Sequence, residues 1–250
     1  MIKEFLRTFV HTELSKHPRF DTAQVKKDSG VQDPRSLWWK HDLYTQVDRR
    51  KNYYVLGLKV FSRSVTESIE DHYGTPADDA VEVVEKLIAQ NKIAPLGPSS
   101  KVFEPGCNMG RNLMALQKKY GLFVTGADIS EKAIGLARQN FSSDGSTFYL
   151  ADLLDPAFFA RFPDNCFDLV LTRWHLIHIP QGAKKDAYIS NLKRVAKNLV
   201  FIEPTREGNH SCEDYNDGIY ALSWDDWEAY GPRKTGLTTP DDTDVFALRK

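Results

Sequence analysis

The stretch Val102-Phe103-Glu104-Pro105-Gly106-Cys107-Asn108-Met109-Gly110-Arg111-Asn112 decides the fold. A short apolar run leads into an acid, a glycine-bearing turn follows, and Leu113-Met114-Ala115-Leu116 continues as a helical pattern. This order predicts a tight loop at the carboxyl end of a strand, where open α/β sheets bind nucleotide-like ligands. Gly106 and Gly110 lack a Cβ, so the backbone there can approach a ligand closely. A helix starting near Gly110 presents unpaired N–H groups that suit a carboxylate or phosphate. The spacing argues against a dinucleotide. That fingerprint is G-x-G-x-x-G, whereas these glycines stand as G-x-x-x-G with an acid two residues before the first.

The stretch resembles the first motif of class I S-adenosylmethionine-dependent methyltransferases, and the rest of the chain follows in the family's order. Residues 122–130, Leu-Phe-Val-Thr-Gly-Ala-Asp-Ile-Ser, read as a second strand ending in Asp128. The resemblance implies that Asp128 accepts hydrogen bonds from the two ribose hydroxyls, with Ile129 beside it. A carboxylate can take two such donors at once. Residues 147–153 read as a third strand ending in Asp152, which the resemblance assigns to the adenine amino group, with the backbone of Leu153 reading the ring. Residues 166–172, Cys-Phe-Asp-Leu-Val-Leu-Thr, resemble the fourth strand, and His178-Ile179-Pro180 resembles the H-I-P that often follows it. The resemblance covers about residues 75–250. It implies an α/β, Rossmann-like sheet with helices on both faces, S-adenosylmethionine as cofactor and S-adenosylhomocysteine as product. The expected cofactor contacts are Glu104, Gly106, Cys107, Asn108, Gly110, Asp128, Ile129, Asp152, Leu153 and Thr172.

Composition bounds the reading. A chain of 250 residues can bury a full core in one or two domains. Its net charge of −1 leaves no global basic field to hold nucleic acid. Cys107, Cys166 and Cys212 show no metal-ligand spacing and form no even set, so no metal site is expected and a reduced, cytoplasmic setting is the simplest expectation. No apolar run is long enough to span a membrane. Lys3, Glu4 and Arg7 interrupt what would otherwise read as a signal peptide. Ile2, Phe5, Leu6, Phe9 and Val10 recur at helical spacing and predict an amphipathic helix packed on the domain, with a membrane-surface helix as the alternative. The sequence carries no signal of oligomeric state.

Breaks along the chain predict the organisation. His17-Pro18 ends the first helix, residues 18–37 are polar and turn-rich, and residues 38–61 are dense in aromatics. Residues 64–73 and 78–91 read as helices, the second with Val81, Val84, Leu87 and Ile88 on one face. Helices over 131–140, 155–162 and 182–197 alternate with strands, and 198–202 reads as a fifth strand. Such alternation implies parallel strands. A short helix over 224–230 and a last strand over 244–248 close the chain. The expected division is residues 1–75, a helical cap over the crevice, and residues 76–250, the cofactor-binding domain.

Several candidates carry two readings. Glu104 either serves the cofactor loop, by touching the methionine amino group or by bracing the loop, or caps the turn as a strand-end acid. Asp152 either reads adenine or serves as a helix N-cap. Asp168 reads as structural, and Arg111 either contacts the loop or the cofactor carboxylate, or is solvated. His175 and His178 follow the fourth strand, where the family's active site opens, and their spacing puts them on one face of a helical turn. His178 matches the family's loop-holding histidine. His175 stands where a small apolar residue is commoner and is the expected substrate-facing base. Glu203 ends the fifth strand and is a third catalytic candidate. Arg50, Tyr53, Tyr54 and His210 are expected substrate contacts. The bland alternative for the first three is a solvated face with core aromatics, and for His210 a solvated loop.

Three function classes compete. The leading expectation is methylation of a small molecule, such as a sugar, a phosphate-bearing metabolite or a natural-product intermediate. A second is methylation of RNA or protein. DNA is not expected, because no Asn-Pro-Pro-Tyr or Asp-Pro-Pro-Tyr follows the fourth strand, and the cations at 49–51 are too few for a phosphate track. The third is a binder that keeps the cofactor without turning it over.

Overall fold

The structure, a computed structural model, describes residues 10–18, 46–55, 58–68, 77–141, 145–207, 220–239 and 243–250. Its chain contacts divide it into two units, Met1–Thr75 and Pro76–Lys250.

In the first unit the described residues are three antiparallel strands, β1 (Val10–Pro18), β2 (Gln46–Val55) and β3 (Leu58–Ser68), in the order β1-β2-β3. The expected helical cap is therefore corrected: Val10–Pro18 and the 64–68 part of the expected 64–73 helix are strand. The reason is visible in composition. Tyr53, Tyr54, Val55, Val60, Phe61, Val65 and Thr66 are β-branched or aromatic, types that suit a pleated surface. Only Leu56 and Gly57 separate β2 from β3, which is hairpin spacing. Arg50, Tyr53 and Tyr54 lie on β2, with the register against β3 shifting between the two tyrosines. His210 lies outside the described residues.

The second unit is built on a seven-stranded sheet. Its strands are β4 (Lys101–Pro105), β5 (Phe123–Asp128), β6 (Ser146–Leu150), β7 (Leu169–Arg173), β8 (Asn198–Glu203), β9 (Arg233–Thr238) and β10 (Asp244–Arg249). They are ordered β6-β5-β4-β7-β8-β10-β9. The five from β6 to β8 are parallel, and β10 is antiparallel to both β8 and β9. The helices are α1 (Asp78–Ala89), α2 (Arg111–Tyr120), α3 (Glu131–Asn140), α4 (Pro156–Ala160), α5 (Ala183–Val195) and α6 (Trp224–Tyr230). The Rossmann-like sheet expected from the motifs is present.

Burial is nearly continuous along the central strands because both sheet faces are covered, successive side chains going to opposite faces. Val102, Val124, Leu171, Val200 and Ile202 pack with Val84, Leu87, Leu113 and Leu116 on one side. Phe103, Val170, Leu199 and Phe201 pack with Phe158, Phe159, Leu192 and Trp227 on the other. The local signals agree with this packing. Ser130 caps α3 by accepting from Ala133 N at 3.0 Å, and Ser223 with Asp226 forms a capping box on α6. The chain runs outward from β4 through β5 to β6, then returns to the other side of β4 with β7. Strand order reverses between β4 and β7, and the crevice of an open α/β sheet opens at that switch point.

Candidate active site

The loop after β4 is fastened to the end of β5. Gly106 N and Cys107 N both donate to Ala127 O, at 2.8 and 3.1 Å. Gly106, Asn108 and Gly110 all have positive φ, +69°, +49° and +80°. Asn108 thus fills a left-handed position between two glycines, and asparagine is among the side chains that tolerate it best. Its N–H donates to Asp128 Oδ2 at 2.9 Å, while Asp128 Oδ1 accepts from Ser130 N at 3.0 Å. Asp128 therefore binds the β4 loop to the entrance of α3.

Glu104 ends β4 beneath this loop and is 2% exposed. Asn112, in the first turn of α2, donates to Oε1 at 2.5 Å, while Oε2 has no hydrogen-bond partner among the described residues. Burial raises the carboxyl to about 8; Asn112 and the nearby Arg173 cation pull it down, and Asp128 pushes it further up. Arg173, at the end of β7, is ion-paired to Asp79 of α1 at 2.5 Å. Cys107 is buried, and the same loss of water pushes its thiol well above the ordinary range, so it is an unreactive wall.

The β5 and β6 ends lie side by side, joined by Ala151 N to Asp128 O at 2.9 Å. Asp152 is exposed two residues past β6, and its Oδ1 accepts from Leu154 N at 2.9 Å. The N-cap of α4 is Asp155, not Asp152: its side chain accepts from Ala157 N. Ile129 is half-buried, and Leu153 and Thr172 are buried.

Across the switch point, His175 follows β7. A Cβ on Gly106 would come 2.1 Å from His175 Nδ1, so the imidazole lies directly on the first glycine of the loop. Its Nε2 is 2.9 Å from the hydroxyl of Tyr188, a buried residue of α5. Burial, reinforced by His178 and Lys185, drives the ring down to about 3 and keeps it neutral. Glu203 does not reach the crevice as a free acid. Its Oε1 accepts from His175 N at 3.1 Å and its Oε2 from Leu176 N at 3.2 Å. It straps the loop after β7 onto the end of β8. Burial raises it to about 7 against the pull of those two N–H donors. His178 is half-buried at the end of the short 3-10 turn Leu176–His178, its N–H bonded to His175 O. Trp174 sits at φ +52°, unusual for a bulky side chain, and its indole N–H donates to Thr243 Oγ1 at 3.0 Å. Sequence reasoning missed Arg173, Trp174 and Tyr188, because each owes its place to a partner far along the chain.

The comparisons agree with this architecture. Residues 102–198 match the family model described as a methyltransferase domain. Phosphoethanolamine N-methyltransferase of Plasmodium falciparum is 27% identical over 117 residues, 41% of this chain and 42% of that protein. Sarcosine/dimethylglycine N-methyltransferase of Halorhodospira halochloris is 28% identical over 144 residues, 57% of this chain and 49% of that protein. The solved structure of magnesium protoporphyrin IX methyltransferase from Synechocystis PCC 6803 with bound S-adenosylhomocysteine superposes with a TM-score of 0.50 at 23% identity, covering 68% of this chain and 82% of that one. The chain spans about half, or less, of the length of these two curated relatives. Residues 102–198 are thus similar to methyltransferase domains, and the fold is shared with a methyltransferase solved with S-adenosylhomocysteine, so S-adenosylmethionine is the cofactor against which the site is tested. The residues present fit it: a buried carboxyl with an oxygen unmatched among the described residues suits an ammonium, and a strand-end carboxylate suits a pair of hydroxyls.

Proposed function

We propose that this protein transfers a methyl group from S-adenosylmethionine to a small-molecule acceptor. The observation that carries the reading is Glu104. It is a fully buried acid under a positive-φ loop at the switch point, with one oxygen unmatched among the described residues. An ammonium beside it would supply the missing donor and turn an unfavourable burial into a charge-assisted pair. Asp128 would take the ribose hydroxyls while keeping its bonds to Asn108 and Ser130. Asp152, on the adjoining strand end, would face the adenine.

When bound, the cofactor supplies a methyl carbon made electrophilic by its sulfonium. The protein's own residues then hold an acceptor in line and exclude water. Orientation of this kind can supply on the order of 7–11 kcal/mol in the best cases. The groups around the loop are neutral: the buried Cys107 thiol, the His175 imidazole and, behind it, the buried Tyr188 phenol. An amine acceptor that arrives neutral needs no strong base. The small-molecule reading is supported by the two relatives named above, whose names specify phosphoethanolamine and sarcosine or dimethylglycine.

The test is calorimetry with S-adenosylhomocysteine, followed by mass spectrometry of the protein incubated with S-adenosylmethionine and fractionated metabolite extract. One-to-one binding and a low-molecular-weight product heavier by one methyl are expected. Methyl appearing only on RNA or protein would reassign the acceptor class, and binding with no acceptor in any fraction would leave a non-catalytic binder. Tight NAD binding with no S-adenosylhomocysteine binding would overturn the reading altogether.

A further inference from the structure

We propose that Tyr188 is a positioning residue that holds His175 in its neutral Nδ1–H form, so that the imidazole meets the crevice as a hydrogen-bond donor and not as a proton acceptor. The argument starts from the phenol. Tyr188 is 2% exposed, on the inner face of α5, with its ring edge-on to its neighbours: 5.7 Å from Phe159 at 65° and 5.7 Å from His175 at 70°. Among the described residues its hydroxyl has one hydrogen-bond partner, His175 Nε2 at 2.9 Å.

A buried hydroxyl hydrogen without an acceptor is costly, about 1–3 kcal/mol. If Nε2 carried the proton, the Tyr188 oxygen would accept from it and its own O–H would point at nothing. If Nε2 is bare, the buried O–H is satisfied, an oxygen lone pair goes unused, and the Nδ1–H falls on the less buried side of a half-buried ring, where solvent or a ligand can accept from it, which is the cheaper arrangement. The phenol cannot relieve the conflict by ionising, because burial and the nearby Glu203 and Asp128 push its pKa well above the ordinary range. Nor can the ring carry both protons readily, since burial and the charges of His178 and Lys185 oppose it, while Glu203 is committed to two backbone N–H groups. The proton of the neutral ring therefore sits on Nδ1.

Nδ1 is the atom that lies on Gly106. The donor is thus delivered to the wall of the crevice beside the first glycine of the loop, within reach of an acceptor atom on a bound ligand. The main chain of the same residue is fixed independently, by the Glu203 strap. His175 is held at three points, and Tyr188 sets which ring nitrogen is armed.

The experiment is long-range proton–nitrogen NMR of the full-length protein with 15N-labelled histidine, the His175 signals assigned by their loss in His175→Gln. A bare Nε2, a protonated Nδ1 and no ring protonation between pH 6 and 8 are expected. Tyr188→Phe should shift the ring toward the Nε2–H form or a mixture. For the proposed methyl transfer, on which this part alone rests, Tyr188→Phe should lower kcat by about two- to tenfold, the scale of one hydrogen bond, with the dissociation constant for S-adenosylhomocysteine nearly unchanged. His175→Asn, whose amide nitrogen can stand near the Nδ1 position, should recover part of the turnover that His175→Ala loses. An Nε2–H ring in the wild type, a tautomer indifferent to Tyr188→Phe, or His175→Asn as inactive as His175→Ala would overturn the proposal. If no methyl transfer is found at all, the function proposed above fails while the tautomer is still decided by NMR. Should Tyr188→Phe not fold, the wild-type spectrum and the His175 pair suffice.

Discussion

Two acids carry the most testable residue-scale chemistry. Asp128 holds Asn108 N and Ser130 N through different oxygens, so it shapes the loop and is proposed to bind ribose with the same carboxylate. Asp128→Ala should weaken S-adenosylhomocysteine binding by about 1.5–3 kcal/mol, the scale of hydrogen bonds to a charged group, as read by calorimetry. Unchanged affinity in a folded variant would place the ribose elsewhere. Glu104 makes a prediction about pH. Its folded pKa of about 8 lies above the reference 4.5, so between those values the folded state keeps a proton that the unfolded chain has lost. Stability from this group is therefore full below 4.5 and is lost as pH rises toward 8. Glu203, raised to about 7, acts in the same direction. His175, depressed from 6.5 to about 3, acts in the opposite direction, but only below 6.5. Lys185, lowered from 10.5 to about 8, favours folding as pH rises, mainly above 8. Between pH 6.5 and 8 the two carboxyls dominate, so the melting temperature of the ligand-free protein should fall across that window. Glu104→Gln should flatten the fall, and an unaltered slope would mean that Glu104 is already ionised in the folded protein.

At the scale of elements, the β4 loop and the β7 loop are a single interlocked device, and the lock is Gly106 against His175. Any side chain at 106 meets both a left-handed φ and an imidazole. Gly106→Ala should destabilise by about 2–4 kcal/mol, summing overpacking with left-handed strain. In a His175→Ala background the ring is gone and only the strain, about 1–2 kcal/mol, should persist. Chemical denaturation of the four proteins gives the coupling, and strict additivity would show that the two loops do not press on each other. The elements themselves were largely legible. The apolar runs of the central strands, the Ser130 cap and the helix patterns over 131–140 and 224–230 are local signals, and the structure obeys them. What escaped was non-local. β9, Arg-Lys-Thr-Gly-Leu-Thr, has neither alternation nor a strong apolar run, and it is strand because β10 offers it an edge. The positive φ of Trp174 follows from bonds to Ile202 and Thr243, which no window around residue 174 contains. Residues 10–18 satisfy a helical spacing only when read with the residues before them. Paired with β2, they follow the alternation of a strand.

At the scale of the whole molecule, the motifs fixed the positions of Glu104, Gly106, Asp128 and Asp152 because strand ends and turns have sequence signatures. The roles of His175 and Glu203 were not legible, because they depend on which buried partner each one meets. Glu203 was read as a candidate catalyst from its place at a strand end, yet its two oxygens are engaged by backbone across the sheet. The same topology makes a global prediction. Except for Thr172 on β7, the proposed cofactor contacts lie on the carboxyl edge of β4, β5, β6 or their loops, and those strands join the two faces of the core through Val102, Phe103, Val124 and Ala127. A ligand that ties these strand ends together should therefore stabilise the whole sheet, not a peripheral loop. With S-adenosylhomocysteine at about 100 times its dissociation constant, linkage gives about 2.7 kcal/mol. For a unit of this size that corresponds to a rise of about 5–10 °C in the melting temperature. Scanning calorimetry should find the transition that moves to be the one that carries most of the unfolding enthalpy. NAD at the same concentration should leave it in place, because the G-x-x-x-G loop lacks the glycine spacing that brings backbone to a pyrophosphate. A shift confined to a minor transition, or an equal shift with NAD, would mean that the ligand does not bind across these strand ends.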